Sequence, residues 1–294
     1  MTELPATEAL DPATAEIDRL DDTELARVLI ETHRTAVDAA LAAANEIARA
    51  TTLVAEAIRR GGRVVLVGAG TSGRLAVLDA SELPPTFGLD PAVVEGRIAG
   101  GDIALRHAVE GAEDDADAGA RAVEDVGPND VVIGLSASGG APFVRAAMLA
   151  ARERGAATIG ITNAANGALA RDAAVGIIAA TGAEPIQGST RMRAGTAQKI
   201  VLNAISTGAM IRLGKTYGNR MVDVVATNAK LRARSERLVR DLAGETDPRA
   251  LLDRAGGSVK TAVVMARREV DRTEAERLLR EAGGRLARVI GDRA

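Results

Sequence analysis

The chain has no cysteine and no tryptophan, and its only aromatic residues are Phe87, Phe143 and Tyr217. Without a thiol it can support neither thiol catalysis nor disulfides nor thiolate-bound metal. So few rings leave no platform on which bases could stack, which argues against a nucleic-acid surface. An excess of positive charge is missing too. Lysine and arginine number 37 against 40 aspartates and glutamates, a formal net charge of -3. No basic footprint for DNA, RNA or an anionic membrane is therefore present. Apolar runs are short, so no transmembrane helix is expected. Met1-Thr2-Glu3-Leu4-Pro5 is polar and acidic, with no apolar core after it, unlike a secretory signal. A soluble, cytoplasmic protein is the expectation.

What the chain does have is apolar bulk of one kind. Of its 294 residues 47% are hydrophobic, supplied by Ala, Val, Leu and Ile. That is enough for a core in one large or two modest domains, and it suits helices packed closely on a sheet. The first ten or so residues read as an extended arm. Asp22 and Glu24 mark a helix start, and Leu25, Val28, Leu29, Ala36, Val37 and Leu41 recur at helical spacing until Gly61-Gly62. From Arg63 to about Ala180, strand candidates Val64–Val67, Ala92–Val94, Val131–Leu135, Thr158–Ile161 and Val175–Ala179 alternate with helices. Those helices are expected over Gly73–Ala80, Asp115–Val126, Ala141–Arg154 and Gly167–Arg171. Strands joined by crossover helices imply an α/β fold, a parallel sheet sandwiched by helices. Ser189 is expected to open a long helix. Beyond about Val224 the chain reads as wholly helical, punctuated by Asp247-Pro248, Gly256-Gly257-Ser258 and Gly283-Gly284. The expected organisation is an N-terminal arm and helices over 1–60, a sheet domain over 61–225 and a small all-helical subdomain over 226–294.

Two loops carry most of the chemical information. Val64–Val67 runs into Gly68-Ala69-Gly70-Thr71-Ser72-Gly73-Arg74, and Val131–Leu135 into Ser136-Ala137-Ser138-Gly139-Gly140-Ala141-Pro142. Glycine lets backbone approach a ligand, while hydroxyls and helix-start amides present donors to an anion. The first loop alone is G-x-G-x-x-G after a strand, with Glu95 near the position of a ribose-binding acid, and leaves a dinucleotide site open. Thr71 and Ser72 suit a phosphate monoester better, and a third cluster, Gly188-Ser189-Thr190, follows the sheet. Together the three point to a sugar phosphate. The alternative, that the glycines only make turns and the serines only cap helices, accounts for one loop as well as a ligand does, and for three less well. Thr71, Ser72, Ser136 and Ser138 are the candidates for the phosphate, with the amides of Gly70, Gly73 and Gly139. Ser189 and Thr190 are candidates for sugar hydroxyls or an N-acetyl group.

These loops, with Asp79-Ala80-Ser81-Glu82-Leu83-Pro84-Pro85, Glu110-Gly111-Ala112-Glu113, Ala194-Gly195-Thr196-Ala197-Gln198-Lys199 and Tyr217-Gly218-Asn219-Arg220-Met221-Val222-Asp223, resemble the N-acetylmuramic acid 6-phosphate etherases, of the sugar isomerase (SIS) fold superfamily. The likeness covers about residues 5 to 240. Departures are Leu83, where the family often has Cys, Leu10-Asp11-Pro12 for Arg-Asn-Pro, and Arg191-Met192-Arg193 for Arg-Leu-Lys. It implies cleavage of the ether that joins D-lactate to C3 of the sugar, by a homodimer acting on the small sugar phosphate, without metal or redox cofactor. It also implies that Glu82 protonates the leaving lactyl oxygen and Glu113 takes the C2 proton. Burial of one carboxyl would set the two apart. Read on spacing alone, either glutamate is an ordinary surface or helix-start acid. Readings that stay open are a phosphosugar-sensing protein similar to the glucokinase regulatory protein, and a phosphosugar isomerase. His33, His107, Asp114 and Asp115 lack metal-ligand spacing, and Lys230–Arg240 reads as a solvated helix. Arg74 is a lower-ranked candidate for the phosphate or the lactyl carboxylate, since an exposed arginine is usually a solvated face residue, and Lys199 and Lys215 rank with it.

Overall fold

The computed structural model describes residues 6–224, 226 and 228–291. The first five residues of the expected arm, and Val225 at the expected 225/226 boundary, lie outside the described residues. The chain forms two compact units, one from the stretch ending at Ser81 together with Ala92–Ser206, the other from Glu82–Pro91 and Thr207 onward.

In the first unit the N-terminal segment is not extended. It folds into 3-10 turns over Ala6–Glu8, Pro12–Thr14 and Ile17–Arg19. The reason is local capping plus long-range ties. Asp11 Oδ1 accepts from the Ala13 amide at 3.0 Å, Thr14 Oγ1 donates to the Pro185 carbonyl at 2.9 Å, and Asp11 pairs with Arg193 at 2.8 Å. Helix α1 (Asp22–Glu31) starts where Asp21 accepts from the amides of Thr23 and Glu24, both at 2.9 Å. Helices α2 (Arg34–Ala42) and α3 (Ala44–Arg59) follow. His33 lies at the α1–α2 junction, its Nδ1 2.9 Å from Thr196 Oγ1, a structural tie.

Strand β1 (Val64–Gly68) leads into α4 (Gly70–Phe87) and β2 (Val94–Ile98). Then come α5 (Ala116–Arg121), β3 (Val131–Leu135), α6 (Pro142–Glu153), β4 (Ala157–Thr162), α7 (Ala168–Asp172), β5 (Val175–Ile178) and α8 (Arg193–Arg212). The five strands are parallel, in the order β2-β1-β3-β4-β5. Every residue of β1 and β3 is buried, as a strand covered on both faces requires. Val65, Val67 and Val132 pack against Phe143, Val144, Ala147 and Met148 of α6. The chain moves from β1 to β2 in one direction across the sheet and from β3 to β4 in the other. Right-handed crossovers then place α4 and α6 on opposite faces.

Four expected boundaries need correction, and the first is helix α4, which runs over Gly70–Phe87 rather than Gly73–Ala80. The second strand is Val94–Ile98 rather than Ala92–Val94. It is an edge strand whose Val94 and Ile98 are buried while Glu95 is exposed, so it carries no continuous apolar run. Helix α5 ends at Arg121, well before Val126, with Gly119 against the Phe143 carbonyl in its second half. Helix α8 begins at Arg193 instead of Ser189. The wholly buried Glu184 carboxylate accepts from the Arg193 amide at 2.8 Å and the Ala194 amide at 2.9 Å, which fixes the helix start from a distance.

The second unit contains a two-stranded antiparallel ribbon, β6 (Thr216–Tyr217) and β7 (Arg220–Met221), followed by α9 (Ala229–Ala243), α10 (Pro248–Arg254), α11 (Val259–Arg268), α12 (Arg272–Glu281) and α13 (Leu286–Ile290). Asp247 and Ser258 cap α10 and α11 at the punctuation visible in the sequence. Val222, Val239, Val263 and Leu286 lie in its core. Lys260 is buried, and burial pushes its ammonium below the usual lysine range against the pull of Asp223, 2.7 Å away. Lys215 reaches the same Asp223 oxygen at 3.2 Å, which accounts for that cation structurally. No helix among the described residues is long and apolar enough to cross a membrane.

An ion network closes the sheet end away from the β1 and β3 loops. Arg97 meets Asp125 at 2.6 Å and Glu95 at 2.7 Å, and Arg63 meets Asp125 at 2.8 Å. Hydrogen bonding from Arg97 first, then from Arg63, holds the Asp125 carboxyl well below the usual range, against the effect of burial. Because the folded value is depressed, its stabilisation is present above the ordinary carboxylate range and fades as pH falls through the folded value. Asp125 is 46% exposed, so solvent screens much of the effect. Asp125→Asn should lower stability at neutral pH by about 1 kcal/mol. In urea titrations the gap from the wild type should narrow between about pH 5 and about pH 2. A gap independent of pH would trace the loss to packing instead.

Candidate active site

The loops after β1 and β3 leave the sheet at its switch point, where β1 has β2 on one side and β3 on the other. Ligands of open parallel sheets bind in the crevice beyond the carboxyl ends of the strands at such a point. Here the first unit has a cavity of about 270 Å³. Its lining includes Gly70, Thr71 and Ser72 of the first loop, Ser136 and Ser138 of the second, Gly188 and Thr190, and Glu113. Thr7 and Glu8 of the N-terminal segment line it as well.

Each loop has a physical reason for its glycines. A Cβ on Gly73 would stand 2.5 Å from Ile98 Cγ1 and 2.7 Å from the Gly68 carbonyl oxygen, so the strand turns into the helix with no room for a side chain. Gly70 has φ of +53° and nothing within 4 Å of an added Cβ, so this bare backbone faces the opening. Gly70, Thr71 and Ser72 form the first turn of α4, whose amides have no intrahelical carbonyl to pair with. In the second loop Ser136 Oγ accepts from the Gly139 amide at 3.1 Å and Ser138 Oγ from the Gly140 amide at 3.2 Å. The two hydroxyls also lie 3.5 Å apart and one donates to the other, which leaves the second hydroxyl proton free for a ligand. The Ala137 carbonyl is anchored by the Asn163 amide at 3.0 Å and Thr162 Oγ1 at 3.1 Å.

The cavity thus gathers Gly70, Thr71, Ser72, Ser136, Ser138, Thr190 and Glu113 from the residues expected by sequence, and not the others. Gly73 and Gly139 do not line it. Their amides already donate, Gly73 to the Ala69 carbonyl at 3.2 Å and Gly139 to Ser136 within its own turn. Ser189 lies in the turn before α8, its amide bonded to the Ile186 carbonyl at 2.9 Å, and it too is absent from the lining. Glu82 is exposed on the later part of α4, where the second unit begins, and is not a lining residue. Pro84 and Pro85 follow it inside the helix and have no amides to offer the Ala80 and Ser81 carbonyls. Glu113 is also exposed, on the short 3-10 turn Ala112–Asp114. The buried setting expected for one of the two glutamates is therefore not found.

Other expected side chains have structural duties. Arg74 Nε donates to the Leu105 carbonyl at 3.2 Å, and Lys199 donates to Asn203 Oδ1 at 2.7 Å. Asn203 in turn donates to the buried Asp79 at 2.6 Å. Glu95 sits near the start of β2, opposite Val65, and pairs with Arg97. It lies at the wrong end of the strand for a ribose at the loops, and the dinucleotide reading falls with it. Among the described residues no group of three or more His, Cys, Asp or Glu could hold a metal ion. Thr7 and Glu8 escape a sequence reading because their place in the lining depends on contacts with residues some 180 positions later, such as the Gly188 amide to Thr7 carbonyl bond of 3.2 Å. No local signal announces them.

A parallel sheet in this order, with hydroxyl loops at its switch point, defines an α/β protein of the SIS type. Residues 46–152 match the glucokinase regulatory protein N-terminal SIS domain and residues 107–207 match the SIS domain. The solved structure of c3406 from E. coli CFT073 in complex with A5P superposes with a TM-score of 0.50. At 18% identity over 68% of this chain and 97% of that one, it shows the fold alone. The chain is 47% identical to N-acetylmuramic acid 6-phosphate etherase of Deinococcus radiodurans, over 99% of its own length and 97% of that protein's. It is 43% identical to the protein of the same name from Escherichia fergusonii, covering 97% of each. The chain belongs to the N-acetylmuramic acid 6-phosphate etherase family.

Gly73→Ala should destabilise the first unit by about 1–3 kcal/mol through overpacking at the β1–α4 turn, read from the urea unfolding midpoint. A loss below about 0.5 kcal/mol, the scale of a neutral surface change, would show that the turn tolerates a side chain.

Proposed function

We propose that this chain cleaves the D-lactyl ether of N-acetylmuramic acid 6-phosphate, giving N-acetylglucosamine 6-phosphate and D-lactate, as a carbon–oxygen lyase of peptidoglycan amino-sugar recycling. The observation that carries the reading is a cavity in which phosphate-type donors from both loops converge with the carboxylate of Glu113. Full-length relatives bearing the etherase name support it.

An unactivated ether resists direct attack by water. In the ring-opened sugar the C1 aldehyde acidifies the C2 hydrogen, and a base removes it. The C2–H electron pair forms the C2–C3 double bond, and the C3–O bond breaks with its electrons on the lactyl oxygen. An acid protonates that oxygen, and D-lactate leaves with the original ether oxygen. Water then adds at C3 of the unsaturated aldehyde while C2 regains a proton, so the sum is ether plus water to alcohol plus lactate. Glu113, a carboxylate in the cavity lining, is assigned the base on family resemblance. Glu82 is assigned the acid on family resemblance. Thr71, Ser72, Ser136 and Ser138 are assigned to the phosphate, and Ser189 and Thr190 to the sugar. The proposal includes a cytoplasmic homodimer, whose subunit number sedimentation of the purified chain measures.

The test is D-lactate release from N-acetylmuramic acid 6-phosphate by the purified chain. Removing a positioned general base costs about 10²–10⁴-fold, so Glu113→Gln should lose rate by that factor. Absence of lactate from the wild type overturns the etherase reading, with ketose formation pointing to an isomerase and ligand binding without turnover to a sensor. An undiminished rate in Glu113→Gln removes that residue as the base.

A further inference from the structure

The cavity has a second carboxylate that the proposed reaction does not use. Glu8 lines it together with Thr7, and the segment that carries them is fastened at several points. The Gly188 amide donates to the Thr7 carbonyl at 3.2 Å, and Gln187 Nε2 donates to the Glu8 carbonyl at 2.8 Å. Further along, Thr14 and Asp11 hold Pro185 and Arg193. The Glu8 side chain itself is exposed and makes no ion pair among the described residues. It lies against bare backbone: a Cβ on Gly188, where φ is +71°, would stand 2.9 Å from Glu8 Oε2. Beside it Thr7 is 1% exposed, and its Oγ1 has no hydrogen-bond partner among the described residues. That hydroxyl is out of solvent's reach, so Glu8 is the one of the two whose polar side-chain atoms are open to a ligand.

We propose that Glu8 is a recognition residue, accepting a hydrogen bond from a hydroxyl or amide N–H of the sugar part of a sugar phosphate. An ionised carboxylate only accepts, so it cannot serve the phosphate, which it repels. The hydroxyls that suit a phosphate, Thr71, Ser72, Ser136 and Ser138, come from the two strand-end loops, whereas Glu8 neighbours Gly188 and lines the cavity with Thr190. The loops then hold the anion while the N-terminal segment reads the neutral, donor-rich body of the ligand. Glu8 remains a binding group and takes no part in proton transfer.

The inference rests on the sugar-phosphate reading above but does not need turnover. Calorimetric titration with N-acetylglucosamine 6-phosphate compares the wild type with Glu8→Gln, Glu8→Ala and Glu8→Asp, alongside the urea midpoint of each ligand-free protein. A hydrogen bond to a charged group supports a loss of about tenfold or more in affinity for Glu8→Gln and Glu8→Ala. Partial recovery is expected in Glu8→Asp, with all midpoints unchanged. Wild-type affinity in Glu8→Gln, midpoints that fall in step with affinity, or no binding by the wild type would each overturn the proposal. Lactate release by the wild type is measured separately. Binding that depends on Glu8 without lactate would sink the etherase reading and leave this one standing.

Discussion

Where β1 becomes α4, Gly68 and Gly73 approach until neither has space for a side chain. The strand end and the helix start are thereby locked together within one turn of chain. Everything functional in the first unit follows from that closeness. The first amides of α4 point beyond the sheet edge, Gly70 offers bare backbone, and Thr71 and Ser72 reach the same opening. Parallel pairing of β1 with β3, in register from Val64–Val131 to Gly68–Leu135, brings the second hydroxyl loop level with the first. Two loops more than sixty residues apart in sequence thus line one cavity.

The sequence disclosed these strands because they are buried on both faces and read as plain apolar runs ending in glycine and serine. It placed β2 too early, because the edge position admits Glu95 and Arg97, whose partners are ionic. The start of α8 was hidden because a buried carboxylate, Glu184, sets it from nine residues upstream of Arg193. Capping by a distant side chain leaves no mark in the local pattern that a reader of Ser189-Thr190 could use. The N-terminal segment was misjudged for the same reason. Its turns depend on Pro185, Arg193 and Gly188, none of them near it in the chain.

The candidate site was legible to an uneven degree. The hydroxyl loops announce themselves by their number, since turns and helix caps account for one such loop but less well for three. Which amides already have partners could not be read from the loops, and Gly73 and Gly139 spend theirs within their own turns. The glutamates could not be chosen from 40 acidic residues without the motif around them. As proposed, the labour is divided: neutral donors for the anion, a carboxylate for the proton, and the anchored Glu8 for the sugar. Among the described residues neither lysine nor arginine lines the cavity, so in this proposal oriented dipoles hold the phosphate.

The central claim is that the lactyl group leaves by elimination. Running the wild-type reaction in deuterated water and locating the label in the recovered N-acetylglucosamine 6-phosphate tests it most directly. Glu113, the proposed base, is exposed, which leaves a proton it takes open to exchange with solvent. The account predicts one deuterium at C2 for each D-lactate released. Lactate accompanied by a sugar that keeps its original C2 hydrogen would contradict it.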